Sequence, residues 1–320
     1  MHVRIFTILA FCLLTLQCAS RQEDVTATIQ FYLDGGIGHV TKGVPYSSSS
    51  GFPVDEQLGL IAYKYNSSHA NPAAWNLYTE ENSCRPMLYY SDLNRWIPTP
   101  DLHYPSSGEG YLRFFAFGPN DECVTGISAE DGAAPTLSYT VPSDIADQKG
   151  LLVATPDERK YPPMLGSLNV PLTLQHVLSG VRFAVYSVFE LVSITVSGVC
   201  DQGQYDMYSG SWRGYDKSVA TPSYTIEIND YAEDMEVMSA SYYRTARKFT
   251  LMMIPQRLPE GARITYYFAN DANNPHVIDV SGQLWEKGKE VTYIIADEQA
   301  EFQVIVEDYP ANTEELLEDE

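Results

Sequence analysis

The chain has 320 residues, of which 44% are hydrophobic, and its 42 acidic residues outnumber its 20 basic residues to give a net charge of −22. This hydrophobic content excludes a disordered chain, and a charge of this sign repels nucleic acid and anionic membrane surfaces. The length exceeds what one compact core usually supports, so the sequence predicts two domains.

The first 18 residues have the pattern of an export signal. Arg4 supplies a short positive region, an apolar run covers residues 5–16, and Cys18 follows it. The run is shorter than the ~20 residues of a membrane-spanning helix, so it predicts a removable signal. A cysteine at this place predicts lipidation of Cys18, as in bacterial lipoproteins. The alternative is ordinary cleavage after Ser20, because Gln17 is not the small residue usual before a lipidated cysteine.

The segment after the signal alternates with period two. Mostly polar residues lie on one predicted face, and the other face carries Val25, Ala27, Ile29, Phe31 and Leu33. This alternation predicts a half-buried strand, which ends at the glycines of positions 35, 36 and 38. A Ser-rich stretch at residues 47–51 then separates this first strand from the next one.

Short strand patterns continue along the whole chain. In the first half they cover residues 58–65, 87–90, 111–117, 137–141 and 150–154. In the second half they cover residues 170–174, 180–187, 191–199, 224–228, 248–255, 263–268, 276–280, 291–296 and 302–306. Residues 232–245 are compatible with a short helix, a loop or a strand. Because no long helical pattern occurs, the sequence predicts an all-β fold of tandem sandwiches.

A charged segment at residues 157–166 divides the two halves. It contains Pro162 and Pro163, which cannot donate hydrogen bonds within a central sheet. The predicted domains are therefore residues 19–160 and 161–310. Residues 311–320 form an acidic tail that is expected to remain solvated.

Catalytic and cofactor motifs are absent from the sequence, which predicts a protein that is not an enzyme and that needs no cofactor. The three cysteines beyond the signal, Cys84, Cys123 and Cys200, have no zinc-site spacing. They are compatible with one Cys84–Cys123 disulfide or with three buried thiols. Acidic groups such as Asp230, Asp234 and Glu236 lack the spacing of a calcium loop, so no metal site is predicted.

Aromatic residues crowd the glycine-rich segment QGQYDMYSGSWRGY at residues 202–215. Exposed side by side, they would form a platform that stacks on sugar rings; packed inward, they would belong to the core or to an interface. The residues concerned are Tyr205, Tyr208, Trp212 and Tyr215. The packed arrangement is the favoured interpretation.

Several segments together resemble the fimbrillin family of Bacteroidia, which comprises the pilins and accessory lipoproteins of type V fimbriae. They are HVTKG at 39–43, LGLIAYKY at 58–65, PLTLQHVLSGVRFAVYS at 171–187, FTLMMIPQRLPEGARITYYF at 249–268 and SGQLWEKGKEVTYII at 281–295. The resemblance implies two transthyretin-like β-sandwiches, export as an outer-membrane lipoprotein and display in a cell-surface fimbria. It also implies assembly by strand exchange, in which proteolysis removes the first strand and a strand of another subunit replaces it.

The residues fit this implied assembly in part. Lys42 is the predicted processing site, although family members are cut at arginine, and Phe302, Val304 and Val306 form the predicted donor strand. The acidic tail would be costly to bury, which favours an accessory or tip subunit over a shaft subunit. The expected partners are other fimbrial subunits, with a surface glycan or protein as a further one. A surface-anchored glycan-binding lipoprotein is the alternative, and in either case only the lipid anchor contacts the membrane.

Overall fold

The computed structural model describes residues 27–33, 56–163, 168–218, 222–239, 241–271, 273–296 and 303–308. Nearly all regular structure in this part of the chain is β-strand, which confirms the predicted all-β class. The exceptions are one helical turn, α1 at Tyr231–Asp234, and four 3-10 turns at Pro72–Ala74, Ile145–Asp147, Arg247–Phe249 and Ala269–Asp271.

Twelve described strands lie between residues 30 and 176. They are β1 Gln30–Leu33, β2 Leu58–Tyr65, β3 Asn76–Leu77, β4 Arg85–Tyr90, β5 Arg95–Pro98, β6 Gly110–Gly118, β7 Val124–Ser128, β8 Thr136–Thr140, β9 Leu152–Ala154, β10 Arg159–Tyr161, β11 Asn169–Leu172 and β12 Gln175–His176. Strand β10 lies inside the charged segment 157–166, where the sequence predicts the domain boundary. It is compatible with Pro162 because the proline follows the last residue of the strand.

Fourteen further described strands lie between residues 179 and 308. They are β13 Ser179–Tyr186, β14 Leu191–Ser197, β15 Gln202–Asp206, β16 Ser211–Asp216, β17 Ser223–Glu227, β18 Met235–Ser239, β19 Tyr242–Thr245, β20 Leu251–Met253, β21 Gln256–Arg257, β22 Arg263–Phe268, β23 His276–Asp279, β24 Leu284–Trp285, β25 Lys289–Ala296 and β26 Gln303–Asp308. The ambiguous segment 232–245 therefore folds as the end of α1 followed by the antiparallel pair β18–β19.

The largest sheet has two buried faces. Its strand order is β11–β1–β5–β4–β2–β6–β9–β12, and β2 pairs with β6 along its length from Gly59 opposite Phe117 to Tyr65 opposite Tyr111. Successive side chains of a strand point to opposite faces. Leu60 and Ala62 of β2 accordingly belong to one apolar core and Ile61 and Tyr63 to another.

The two cores differ in extent. The main core continues from Ile61 and Phe115 in the large sheet to Phe183 and Ile264 in the second half, where the sheet of β13 and β25 packs against the sheet of β14 and β22. The second core lies on the other face of the large sheet and includes Ile29 of the first described segment. Burial of these apolar side chains provides the dominant favourable term in folding.

Backbone pairing connects the two halves of the chain. Strand β11 pairs with β1, β12 with β9, and β15 with β8, and each of these pairs joins strands from opposite sides of residue 160. The strand β15 and its neighbour β16 thus complete a four-stranded sheet that begins with β7 and β8. The division into domains at 19–160 and 161–310 stays a prediction.

Alkaline pH is expected to destabilise the fold. Burial raises the pKa of Tyr65, Tyr205 and Tyr293 to about 12 each. In the unfolded chain a tyrosine hydroxyl loses its proton near pH 10, so between about pH 10 and pH 12 the unfolded state binds fewer protons than the folded state. Stability is therefore fully present below about pH 10 and falls as the pH rises through this window. Urea unfolding at a series of alkaline pH values measures the decline.

A substitution can test the tyrosine contribution. The side chain of Tyr205 is almost completely buried in the main core, and Tyr205→Phe keeps its ring while removing the hydroxyl. This variant should lose less stability than the native chain over the same pH interval. A stability that stays constant from about pH 9 to pH 12 would contradict the expected titration.

Candidate functional site

Some predicted site residues lie outside the described part of the chain. These are the lipidation residue Cys18, the processing residue Lys42, Val25 at the start of the first strand, and Phe302 of the donor strand. The acidic tail at 311–320 lies outside it too. All of these remain predictions. The rest of the first strand and Val304 and Val306 of the donor strand are described.

The backbone of the first strand is paired on both edges. On one edge β1 runs parallel to β11, with Gln30 opposite Asn169 and Leu33 opposite Leu172. On the other edge it is antiparallel to β5, with Phe31 opposite Trp96. The preceding residues continue this attachment, since the Ile29 amide donates to the Leu102 carbonyl at 2.7 Å.

The apolar side chains of the first strand fill the second core. Ile29 and Phe31 are completely buried, and Ala27 and Leu33 pack against the same core while partly buried. The ring of Phe31 meets the ring of Phe114 edge-on, with 5.3 Å between the ring centroids. The predicted inward face of this strand is confirmed for these four residues. Without β1, the strands β5 and β11 would border a groove with an apolar floor and unpaired backbone groups.

Strand β26 has the opposite character, because it lies at the edge of its sheet. The sheet order is β18–β19–β13–β25–β26, so among the described strands β26 pairs with β25 alone. Val304 and Val306 lie opposite Tyr293 and Val291 on the side of the main core, and 37% and 50% of their surface remain exposed. Ile305 points to the other face and is 39% exposed. The apolar side chains of β26 are thus only partly buried within the described structure.

The four aromatic residues of the segment 202–215 do not form a sugar-binding platform. Tyr205 is buried in the main core, and Trp212 packs against the same core with its indole N–H donating to the Val177 carbonyl at 2.7 Å. These two rings are tilted by 51°. Tyr208 and Tyr215 are partly exposed, but Tyr208 packs edge-on against Trp75.

The pairing of β15 with β16 decides which of these aromatic rings face the core. Tyr205 lies opposite Trp212 in this pair, and both side chains take the face that covers the main core. The rings are used for packing, which was the favoured interpretation of the sequence. The alternative that the sequence leaves open, one exposed plane of Tyr205, Tyr208, Trp212 and Tyr215, is not formed.

The three cysteines of the described residues are free thiols. Cys123 is buried, and Cys84 and Cys200 are partly buried. The Cys84–Cys123 disulfide that the sequence allowed is thus not formed here. Burial raises the pKa of the Cys84 thiol to about 11 and that of the Cys123 thiol to about 12.

Alkylation of Cys84 and Cys123 is expected to be slow in the folded protein. The thiolate is the reacting form, and its fraction near pH 8 is at least ~100-fold lower at a pKa of about 11 than in an unfolded chain. Iodoacetamide treatment followed by peptide mass spectrometry measures the rate, with the urea-unfolded chain as control. Equal rates in the two states, or a disulfide-linked peptide pair, would contradict the buried thiols.

The acidic residues considered as calcium ligands have other partners. The carboxylate of Asp234 accepts the backbone N–H groups of Asn229 and Asp230 and pairs with Lys248 at 2.6 Å. Glu236 pairs with Arg182 at 3.0 Å. Within the described ranges, no three His, Cys, Asp or Glu residues are grouped so that they could hold a metal ion. None of the described helices is long and apolar enough to cross a membrane.

Known structures are similar to this protein in fold, and a protein-family model matches its sequence. The all-β architecture is similar to that of a candidate cell adhesion protein from Bacteroides uniformis, at 13% identity over 89% of this chain and 99% of that chain, with a TM-score of 0.53. A fimbrial protein from Bacteroides vulgatus is similar at 13% identity over 88% and 99%, with a TM-score of 0.52. At this identity the likeness shows the fold alone.

The family follows from the sequence match. A protein-family model described as fimbrillin-like matches residues 47–308. Because this match covers most of the chain, the protein belongs to the fimbrillin-like family, and the predicted resemblance is confirmed. No protein among the curated ones matches the chain significantly.

Proposed function

We propose that this protein is a structural and adhesive subunit of a cell-surface fimbria, assembled by β-strand exchange. Its membership of the fimbrillin-like family supports a fimbrial subunit with a non-enzymatic role. The strand exchange is supported above all by one observation, namely that β1 is inserted between β5 and β11 with Ile29 and Phe31 completely buried. Its partners would be other fimbrial subunits.

The proposed exchange has a receiving groove and a donor strand. Removal of β1 would expose apolar surface and backbone groups of β5 and β11, and an incoming strand would satisfy both by β-augmentation. Strand β26 of a neighbouring copy or subunit is the proposed donor, because Val304 and Val306 alternate as Ile29 and Phe31 do. It would have to leave only β25 in order to be transferred.

The proposed place of the subunit in the fimbria rests on two features of the sequence, Cys18 and the acidic tail. We propose that Cys18 carries the lipid anchor on the outer membrane and that the acidic tail opposes deep burial of the C-terminal end. Both features suit an accessory or tip subunit. Mass spectrometry of the protein from its native envelope tests this: a lipidated start at Cys18 or a processed start near residue 43 supports the proposal, and a start at Arg21 opposes the anchor.

Controlled removal of β1 tests strand exchange. A recognition sequence for a specific protease is placed at residues 39–43, the full chain is cut there, and oligomers are followed by gel electrophoresis and electron microscopy. We expect release of the first strand and a ladder of oligomers that survive detergent. A cut chain that remains monomeric would contradict the exchange.

Two variants of β26 sharpen this experiment. Val304→Asp places a charge on the face that would enter the groove, so it should abolish the ladder. Ile305→Asp places the same charge on the opposite face of the same strand, where it should be tolerated. If both variants block assembly equally, or if neither does, β26 is not inserted in the proposed register.

A further inference from the structure

A cavity of about 500 Å³ opens at one end of the second core. Its walls come from the end of β2, from β3 and the residue that follows it, from the end of β10 and from residues 103–107. The volume lies in the range of small-molecule sites, which is roughly 300–1,000 Å³. The side chains that matter for its chemistry are Lys64, Asn66, Asn76, Tyr78, His103 and Tyr161.

Aromatic rings form the less polar part of the cavity. Tyr161 is buried in the second core, and Tyr78 packs against that core while remaining partly accessible. The Tyr78 hydroxyl donates to the His103 carbonyl at 2.9 Å, which fixes the orientation of the ring and ties it to the opposite wall. The cavity therefore presents a held aromatic ring that a flat, partly apolar ligand could cover.

Polar groups lie around this ring. Asn76 pairs with Lys64 on the neighbouring strands β3 and β2, and the Lys64 ammonium lies 5.4 Å from the centroid of the Tyr78 ring. Among the described residues, the side-chain amides of Asn66 and Asn76 make no hydrogen bond and Lys64 makes no ion pair. A side-chain amide both donates and accepts, so it suits a ligand hydroxyl, which does the same.

We propose that this cavity binds a saccharide unit. The exposed Lys64 side chain, whose ammonium lies over the Tyr78 ring, would move aside so that one sugar face covers the ring, and the sugar hydroxyls would bond to the amides of Asn66 and Asn76 and to the displaced Lys64 ammonium. A saccharide combines an apolar C–H face with a rim of hydroxyls, which is the combination that this ring and these amides complement. The site differs from the aromatic segment 202–215, whose rings pack inward.

The wall of this cavity is tied to the first strand. The Ile29 amide donates to the Leu102 carbonyl at 2.7 Å, the Tyr104 amide donates to the Ala27 carbonyl at 3.0 Å, and Thr28 Oγ1 lies 3.3 Å from His103 Nδ1. A ligand that needs this wall binds only while the first strand is in place. By linkage, the bound saccharide stabilises the attached strand. Saccharide binding itself does not require polymerisation, so its test is independent of strand exchange.

Binding is tested on the chain of residues 19–320 with methyl glycosides of glucose, galactose, mannose, N-acetylglucosamine and N-acetylneuraminic acid. Calorimetry and saturation-transfer NMR measure binding of each. We expect at least one glycoside to bind and the variant Asn66→Ala/Asn76→Ala to weaken it at least about tenfold. Asn273→Ala, which removes an exposed amide in the second half of the chain, should bind as the native protein does. Binding of no glycoside, or native binding by the double variant, would overturn the proposal.

Two further experiments test the stacking of the sugar on the Tyr78 ring and the coupling between sugar binding and the first strand. Tyr78→Phe and Tyr78→Leu both lose the bond to His103, but only Tyr78→Phe keeps a ring, so it should bind at least about fivefold more tightly than Tyr78→Leu. Hydrogen exchange at the amides of Ile29 and Tyr104 should slow when the glycoside is bound. Equal binding by the two Tyr78 variants would refute the stacking, and unchanged exchange would refute the coupling.

Discussion

Replacing Phe31 with alanine is expected to lower the free energy of unfolding by about 3–5 kcal/mol. The side chain is completely buried in the second core and meets Phe114 edge-on at 5.3 Å. Truncation removes this contact and leaves a cavity in the second core beside Phe114, which the surrounding side chains can fill only in part. Urea unfolding followed by tryptophan fluorescence and circular dichroism gives the change.

Val306→Ala is the matched control for Phe31→Ala. Val306 is also an apolar strand residue, but half of its surface is exposed at the edge strand β26. Surface substitutions of this kind usually change stability by no more than about 0.5 kcal/mol. If Phe31→Ala costs no more than this control, β1 does not hold the second core together, and the proposed groove would have no apolar driving force.

The energetic role of β1 bears on how exchange could proceed. A strand that contributes several kcal/mol does not leave a folded chain spontaneously to any large extent. A cut between β1 and β2 would make the loss of β1 concentration-dependent, and a donor strand with a similar apolar alternation would restore the lost contacts. In the proposed exchange, cleavage would permit the loss of β1, and the donor strand would supply the free energy that retains the product.

The inward face of the first strand could be predicted because it depends on local alternation. Val25 to Leu33 alternate with polar residues, and a strand with one buried face must place Ile29 and Phe31 on the same side. The pairing partner could not be predicted. Strand β11 lies far away in the sequence, and single-chain patterns carry no information on which distant strand completes a sheet.

The pairing of distant strands also decides the arrangement of the aromatic segment 202–215 and of strand β10, so the sequence alone could not predict either one. Tyr205, Trp212 and their neighbours have suitable composition for a platform, but the register of β15 with β16 and β8 decides which rings point inward. The charge of residues 157–166 and their two prolines, Pro162 and Pro163, predict a domain boundary where the structure has strand β10. Its pairing with β6 ends at Tyr161 opposite Gly110, so the proline interrupts nothing.

The residues around the proposed saccharide-binding cavity belong to separate segments of the chain, so the sequence alone could not predict the cavity. Asn66 and Asn76 are ordinary polar residues in loops or short strands, and no motif connects them with the segment at 103–107. They meet because β3 pairs with β2 and because the first strand holds residues 102–104 in place. Sites of this kind follow from tertiary contacts and are visible only in the folded chain.

A cluster of ion pairs around the buried Arg182 is expected to contribute strongly to the stability of the fold. Arg182 lies in the strand β13 and is completely buried. Its guanidinium lies 3.0 Å from Glu236 and 3.8 Å from Glu290, and it donates a further hydrogen bond to the Thr245 carbonyl. Glu290 is itself only 3% exposed and also lies 3.7 Å from Arg247. The charge at Arg182 is compensated by neighbours that are partly out of contact with water.

Arg182→Met is expected to cost about 3–5 kcal/mol of unfolding free energy, because the buried Glu290 then loses its completely buried partner and keeps the partly exposed Arg247 as its counter-charge. Glu236→Gln should cost less than about 1 kcal/mol, because Glu290 still compensates Arg182, an amide oxygen at this position can still accept the Arg182 hydrogen bond, and 40% of the Glu236 side chain is already exposed to water. Urea unfolding measures both. Each variant removes one charge, from a completely buried side chain in Arg182→Met and from a partly exposed one in Glu236→Gln.

The double variant Arg182→Met/Glu290→Met separates the ion pair from simple loss of packing. A buried pair replaced by apolar residues of similar size is often neutral or stabilising, so the double variant should be more stable than Arg182→Met alone. The difference measures the penalty of leaving Glu290 without its buried partner. The single variant Glu290→Met completes the comparison. If the costs of Arg182→Met and Glu290→Met simply add in the double variant, the two side chains act independently, and Arg182 stabilises β13 through its hydrogen bond to Thr245 and its packing instead.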